Sequence, residues 1–165
     1  MWAIVAAGLM FWTCIRTDVP FLLDQDRGGI IVPVVVNGRA GTALLDTGAG
    51  HTVVSPQLLG VSHRLNSGSF SMEQPGFVAQ RAWARAPLRL GDADVGLQSV
   101  QAMDMAEVSR AYRRNIDALI GQDVLTRFGR VVIDFEARRL LLLRGEFESC
   151  PAADTLSQDA APELR

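Results

Sequence analysis

Hydrophobic residues occur in short runs along most of the chain, and these runs have the length and composition of β-strands. The clearest pair, residues 30–36 and 42–45, is rich in aliphatic side chains and is separated by Asn37-Gly38. This dipeptide readily adopts the positive φ angles of a type I′ turn, so the segment is predicted to be a β-hairpin. Pro33 has no amide hydrogen for a strand ladder, and we expect it at an edge or an irregularity of the first strand.

The strand pattern continues beyond this hairpin, with two interruptions that suit short helices. Residues 56–80 lose the periodicity and gather Ser, Asn, Gly and Pro, which predicts a loop or a mobile hairpin around residues 68–76. The chain is therefore expected to form a mainly β domain with one or two short helices. The predicted strands are 52–54, 82–90, 95–102, 117–120, 130–135 and 139–143, and the predicted helices are 103–114 and 122–128.

The two ends of the chain differ from this central region. Residues 2–15 form an apolar run closed by Arg16, shorter than the roughly 20 residues of a membrane-spanning helix but suited to the core of a signal peptide. We therefore predict a leader at 1–16, either a signal peptide or a membrane anchor, a domain at 26–145, and a disordered polar tail at 146–165. This organisation predicts an exported or membrane-associated protein of the periplasm or cell envelope. The alternative is a buried N-terminus, or a wrongly assigned start, in a cytoplasmic protein.

Composition and charge narrow the range of partners. Hydrophobic residues make up 48% of the chain and charged residues 21%, which is typical of a folded globular protein. The formal net charge of −2 gives no positive field for phosphates, so nucleic acid is not expected as a partner. Cys14 and Cys150 lie at opposite ends without metal-ligand or redox-motif spacing, so no disulfide framework is expected and their roles stay open.

Asp46 is the acidic residue whose surroundings best suit a presented catalytic group. It follows the apolar strand 42–45, on a tight turn in which Gly48 permits the backbone geometry and brings amide N–H groups near the charge. Thr47 adds a hydroxyl able to tie this loop to another copy of the chain, and Ala49 keeps the next position small. Because Asp and Gly also occur in ordinary turns, the tripeptide alone is weak evidence of catalysis.

Two longer segments make the pattern more specific. Residues 44–55, LLDTGAGHTVVS, resemble the active-site segment of the retropepsin-like aspartic peptidases, the family of retroviral proteases and their bacterial relatives. Residues 118–125, ALIGQDVL, followed by Phe128-Gly129, resemble that family's second signature, in which an apolar strand ending in glycine passes beside the catalytic loop and leads into a short helix. The resemblance covers residues 30–143, and the two signatures occur in the family's order.

The resemblance implies a closed retropepsin-like acid-protease barrel that is active as a twofold dimer, each subunit contributing one Asp-Thr-Gly loop. The chain has one such tripeptide and is too short for two lobes, so the second carboxylate must come from another copy. The implied activity is that of an aspartic endopeptidase, a homodimer that hydrolyses peptides or proteins through a water activated by Asp46 and its symmetry mate. The two carboxylates share one proton, and the reaction needs neither a cofactor nor a metal.

The resemblance also assigns roles to neighbouring residues. Thr47 is implied to hydrogen-bond across the dimer axis, with Gly48 and Ala49 completing the active-site loop and the dimer contact. Some members carry serine at the position of Ala49, so the missing hydroxyl predicts an activity optimum less acidic than that of pepsin-like enzymes. Structural support of the site is implied for the second signature, at Leu119, Ile120, Gly121 and Asp123.

The family places a flap over the substrate where this chain has residues 65–80. Gly68 and Gly76 are hinge-capable, but the segment containing Ser69 and Phe70 does not reproduce a glycine-rich flap tip. A possible flap is therefore assigned to Gly68, Ser69, Phe70 and Gly76, and substrate preference is not readable beyond the expectation that an extended peptide pairs with it.

Several residues have a second interpretation. Asp123 has the chemistry of a second acid, yet a carboxylate at a helix start more often accepts hydrogen bonds from backbone amides. The spacing of His51, His63 and Asp46 matches no familiar metal site. Aromatic residues at 70, 77 and 83 suit either a specificity pocket or the core, and the leucines at 140–143 suit either a buried strand or a dimer interface.

The alternative function is a catalytically silent dimeric binding or scaffold domain that keeps the acid-protease fold. The intact Asp-Thr-Gly favours the enzyme, and the unusual flap sequence favours the scaffold. An exported β-rich adhesion or periplasmic module would leave the second signature unexplained.

Overall fold

A computed structural model describes residues 14–60 and 82–145, which contain ten strands and three short helices. The mainly β architecture predicted from the sequence is confirmed. The strands are β1 (Ile15–Pro20), β2 (Leu22–Leu23), β3 (Ile30–Val36), β4 (Arg39–Leu45), β5 (Val53–Val54), β6 (Ala82–Leu90), β7 (Ala93–Ala102), β8 (Ala118–Ile120), β9 (Arg130–Asp134) and β10 (Arg139–Arg144). The helices are α1 (Pro56–Leu59), α2 (Ala106–Tyr112) and α3 (Gln122–Leu125).

Six of the strands close into a barrel. Their order is β3-β4-β8-β5-β7-β6, and the ring closes because β6 also pairs with β3, where Val34 lies opposite Leu90. Along β3 the side chains of Val32, Val34 and Val36 are fully buried in the core, as the two-residue period of a strand requires. Because the ring is closed, each of these strands has a neighbour on both sides, and the aliphatic side chains that point inward fill the interior.

The hairpin of β3 and β4 has the predicted turn. Asn37 and Gly38 both have positive φ, at 51° and 75°, as a type I′ turn requires. Pro33 falls between the segment of β3 that pairs with β2 and the segment that pairs with β6. On that side Pro33 has no strand partner, so its missing amide hydrogen falls at a local edge of β3, as expected.

The remaining three strands form a second sheet in the order β1-β10-β9. In β10 all four residues of Leu140–Leu143 are buried, so the chain alone accounts for this leucine run as a buried strand. Strand β1 pairs with β10 along its whole length, from Ile15 opposite Arg144 to Pro20 opposite Arg139, so residues 15–20 are part of this sheet.

The helices differ in detail from the prediction. Residues 56–59, predicted as loop, form α1, in which the hydroxyl of Ser55 accepts a hydrogen bond from the Leu58 amide and Pro56 occupies the first turn. Both are recognised helix-start signals, which the short length of the helix obscured. The other two helices, α2 and α3, are shorter than predicted.

Cys14 is disulfide-bonded, so the expectation that the cysteines form no disulfide is wrong. The second cysteine, Cys150, lies outside the described residues. Within the two described ranges, no helix is long and apolar enough to cross a membrane.

Candidate active site

The loop that carries Asp46 is held between three strands of the barrel. It leaves β4 at Leu45 and enters β5 at Val53, and β8 lies between these two strands. The pairing of β8 is parallel to β4 and antiparallel to β5, with Leu119 opposite both Leu44 and Val53. The two sequence signatures are thus brought into direct contact, with the loop of one wrapped around the end of the other.

The Asp46 carboxylate is oriented by its own loop. Its Oδ1 atom accepts hydrogen bonds from the amides of Gly48, at 2.9 Å, and Ala49, at 3.2 Å, while its backbone amide donates to the Ile120 carbonyl at 3.0 Å. Its Oδ2 atom accepts no hydrogen bond from any residue in the ranges 14–60 and 82–145. One oxygen is therefore fixed by backbone amides, and the other has no hydrogen-bond donor within the described part of the chain.

Gly121 and Gln122 fasten the far side of the loop. A Cβ atom on Gly121 would lie 2.7 Å from the carbonyl carbon of His51 and 2.9 Å from the Ala49 oxygen, so only glycine lets the loop approach this closely. The Gln122 amide donates to the Ala49 carbonyl at 2.8 Å, and its side-chain Nε2 donates to the Thr47 carbonyl at 2.7 Å. Gln122 was not singled out in the sequence, because nothing local shows that its side chain turns back to the loop.

Thr52 and Asp123 complete the attachment. The fully buried Thr52 hydroxyl donates to Asp123 Oδ1 at 2.7 Å and accepts from the Gly121 amide at 3.1 Å, while the Thr52 amide donates to Asp123 Oδ2 at 2.9 Å. Both oxygens of Asp123 are engaged, which favours the supporting role over that of a second acid. Thr52 was not identified from the sequence. A polar residue at the start of an apolar strand does indicate, however, that its side chain has a hydrogen-bond partner inside the protein.

The overall shape has counterparts among solved structures. A retropepsin-like aspartic protease from Rickettsia conorii superposes with a TM-score of 0.54 at 14% sequence identity, covering 88% of this chain and 98% of that one. The chain has the retropepsin-like fold. The retroviral protease-like domain of Ddi1 from Leishmania major is similar at a TM-score of 0.49 and 16% identity, over 70% of this chain and 92% of that one. EIAV protease in complex with an inhibitor is similar at 0.42 and 15% identity, over 58% and 84%. Neither a family model nor a curated protein matches the sequence.

Within this retropepsin-like barrel, Asp46 faces a cavity of about 360 Å³. Aliphatic side chains and glycine backbone line it together with the polar groups of Arg27, Thr47 and Tyr112. The lining residues are Arg27, Gly28, Gly29, Ile30, Leu44, Leu45, Asp46, Thr47, Tyr112 and Ile133.

Other residues named from the sequence lie apart or outside the described ranges. Thr47 is exposed at the loop tip, whereas Leu119 packs against a small cluster that includes Ile31 and Met105. Trp83 is 46% exposed and contacts the ring of His51 edge-on, so it is not a core residue. The flap residues Gly68, Ser69, Phe70 and Gly76, together with Phe77 and His63, lie outside the described residues. In residues 14–60 and 82–145, no three His, Cys, Asp or Glu side chains converge as metal ligands would.

Proposed function

We propose that the protein is an aspartic endopeptidase, with Asp46 as its catalytic carboxylate. The observation that carries this proposal is the hydrogen bonding of that carboxylate. One oxygen is held by two amides, and the other has no donor among the described residues and borders a cavity. A carboxylate that only stabilised the turn would not need a second oxygen beside a cavity. The rigid attachment of its loop to β8 and α3 suits a group that must be positioned before substrate binds.

The second carboxylate is supplied by Asp46 of a second copy. Two carboxylates at hydrogen-bonding distance do not both ionise cheaply, so the pair shares one proton. The ionised member removes a proton from a water held between them, and the protonated member donates a hydrogen bond to the scissile carbonyl. Attack then produces a tetrahedral intermediate, and collapse of that intermediate with proton transfer to the leaving nitrogen breaks the peptide bond.

Two features support a twofold dimer with this loop at its axis. Thr47 is exposed, and its hydroxyl has no hydrogen-bond partner in the described part of the chain, so it is free for a contact with the other copy. Among the described strands, β9 pairs only with β10, and its five residues are all half-buried. An open strand edge of this kind is a template for pairing with another chain. Ile133 of β9 lines the same cavity as Asp46, which brings this edge close to the site.

We further propose that the protein works outside the reducing cytoplasm. The support is the disulfide at Cys14, since disulfides persist in oxidising compartments and are rare in the cytosol. Thiol alkylation of the protein in fractionated native cells tests this. A blocked Cys14 in an envelope or secreted fraction is expected, and a freely alkylated Cys14 in the soluble cytoplasmic fraction would reject the proposal.

The activity is tested with a pool of peptides incubated from about pH 3 to about pH 8, with and without pepstatin. Wild type is expected to cleave, and Asp46→Asn is not, since an amide cannot serve as the base. Asp92→Asn, which makes the same change on an exposed hairpin turn, is the matched control and should cleave like wild type. Equal cleavage by wild type and Asp46→Asn rejects the peptidase. Failure of the wild-type dimer to cleave any peptide favours the scaffold function.

A further inference from the structure

A second cavity borders the last part of the Asp46 loop, at His51. It has a volume of about 510 Å³, and none of its lining residues lines the cavity that Asp46 faces. His51, the residue before Thr52, forms one side of it, and Arg127, two residues after α3, forms another. Strands β6 and β7 supply the rest of the lining, so this cavity lies on the outer surface of the barrel.

The charged groups of this second cavity are mainly positive. Arg85 and Arg127 are both exposed and line it together with His51. Within residues 14–60 and 82–145, neither guanidinium has a hydrogen-bond or ion-pair partner. The one carboxylate in the lining, that of Asp123, already accepts hydrogen bonds at both oxygens. The cavity therefore offers two guanidinium groups to a negatively charged ligand.

Two exposed apolar side chains lie beside these charges. Trp83 is 46% exposed and Leu97 is 51% exposed, and both line the cavity. Trp83 and Arg85 are two positions apart on β6, so their side chains share the outer face of that strand. A surface of this composition suits a segment that carries carboxylates and a few aliphatic side chains.

The last residue of β10 lies next to the elements that line this cavity. The Arg144 guanidinium carbon lies 5.0 Å from the centre of the Phe128 ring, and Arg144 donates a hydrogen bond to the Asp94 carbonyl at 3.2 Å. Phe128 directly follows Arg127, and Asp94 belongs to β7. At about 3.3 Å per residue, residues 146–165 span about 60 Å when extended, so they can reach every part of the cavity.

The charge of residues 146–165, here called the acidic segment, is complementary to that of the cavity. The segment has five acidic residues and one arginine, and it also contains two leucines. Residues 61–81, which also lie outside the described ranges, have two arginines and one glutamate, so their charge does not match. The acidic residues of the segment are Glu146, Glu148, Asp154, Asp159 and Glu163.

We propose that the cavity bordered by His51, Trp83 and Arg127 is a docking site for the acidic segment of the same chain. Arg85 and Arg127 pair with its carboxylates, and Trp83 and Leu97 contact its leucines. Its covalent connection to β10 keeps the segment at a high effective concentration, so weak individual contacts are sufficient. The inference goes beyond the proposed peptidase function and does not depend on it, because its tests measure proximity and binding.

Cross-linking of the full chain tests this docking, because the chain contains no lysine. Arg127→Lys places one amine in the cavity, and a water-soluble carbodiimide joins an amine to a carboxylate that it contacts. Mass spectrometry should find this amine linked to an acid of the acidic segment in the same molecule, and Arg85→Lys should give the same result. Arg110→Lys is the matched control on α2. Its amine should be linked to Glu107, because the wild-type guanidinium lies 3.6 Å from that carboxylate.

Three results would overturn the docking. Neither cavity variant is linked to the acidic segment, although Arg110→Lys is linked to Glu107. The amine at position 127 or 85 is linked to Glu73, which would assign the cavity to residues 61–81. The link forms only between two molecules, as shown by mixing isotopically heavy and light protein, which would assign the cavity to a second copy.

Binding of a separate peptide measures the contribution of the two arginines. The acidic segment of the full chain is first neutralised by Asp154→Asn, Asp159→Asn and Glu163→Gln. A fluorescent peptide of residues 151–165 should then bind, and adding Arg85→Ala with Arg127→Ala should weaken its binding by about threefold to tenfold, as expected for two exposed charge contacts. Arg89→Ala, on the same strand but outside the cavity, should leave the affinity unchanged. No binding, or equal affinity with and without the two cavity arginines, would also overturn the docking.

Discussion

The Thr52 hydroxyl donates a 2.7 Å hydrogen bond to the carboxylate of Asp123, a residue 71 positions further along the chain. This contact joins the residue before β5, at the end of the Asp46 loop, to α3, the helix within the second signature. The same hydroxyl accepts from the Gly121 amide, so one buried oxygen serves as donor and acceptor to two parts of that signature. The orientation of Asp46 therefore depends on a contact that contains neither Asp46 nor its neighbours in sequence.

Replacing Thr52 by valine keeps the shape of the side chain but removes both of these hydrogen bonds. Because the buried Gly121 amide then loses its acceptor and the half-buried Asp123 carboxylate loses one of its donors, the free energy of unfolding should fall by about 1–3 kcal/mol. Chemical denaturation measures this change in the free energy of unfolding. Thr126→Val makes the same change at an exposed hydroxyl and should stay within about 0.5 kcal/mol of wild type. Equal effects of the two substitutions would show that the buried network contributes nothing of its own.

Gly121→Ala tests the close passage of the loop over β8. The added methyl group would meet backbone atoms of His51 and Ala49, which cannot move aside without displacing the Asp46 loop. We expect a loss of about 1–3 kcal/mol of stability, typical of overpacking, together with a fall in kcat. At Gly129 the same methyl group meets nothing closer than 3.6 Å, so Gly129→Ala is the control and should retain activity. A fully active Gly121→Ala would contradict the tight approach.

Val132→Lys tests β9 as the dimer edge. Val132 is the central residue of β9, and twofold pairing would place it near its own symmetry mate, where two like charges repel. Specific activity at low protein concentration should fall, and light scattering should show more monomer. Val35→Lys introduces the same charge on β3, which is paired on both sides within the chain, and should leave the dimer intact. If the Val132→Lys protein dimerises as well as wild type, β9 is not the dimer interface.

The dependence of kcat/KM on pH should be bell-shaped, because activity requires one ionised and one protonated member of the pair. Ala49 supplies no hydroxyl to the ionised form, so the optimum should lie above that of pepsin-like enzymes. Ala49→Ser restores a donor beside the carboxylate and should shift the acidic limb to lower pH. The control is Ala137→Ser on an exposed turn. If the acidic limb of the profile does not move in Ala49→Ser, the missing hydroxyl at position 49 does not set the pH optimum.

Much of the fold followed from local patterns. The β3–β4 hairpin and the β6–β7 hairpin were predicted because turn residues and strand residues lie next to each other in sequence, as at Asn37-Gly38. Strand β1 was missed because its apolar start merges with the preceding run, and its partner β10 lies at the other end of the chain. Helix α1 was missed because four residues carry too little periodicity to stand out from a loop.

The sequence by itself determined that Asp46 sits on a tight turn after a buried strand, and that an apolar strand ending in Gly121 accompanies it. Those properties are local, since they depend on residue types within a few positions. Only the tertiary structure decided how the carboxylate is held, which of its oxygens has no donor among the described residues, and that Thr52, Gln122 and Tyr112 belong to the site. These residues act through contacts between segments far apart in the chain, and strand pairing, rather than any local preference, brings those segments together.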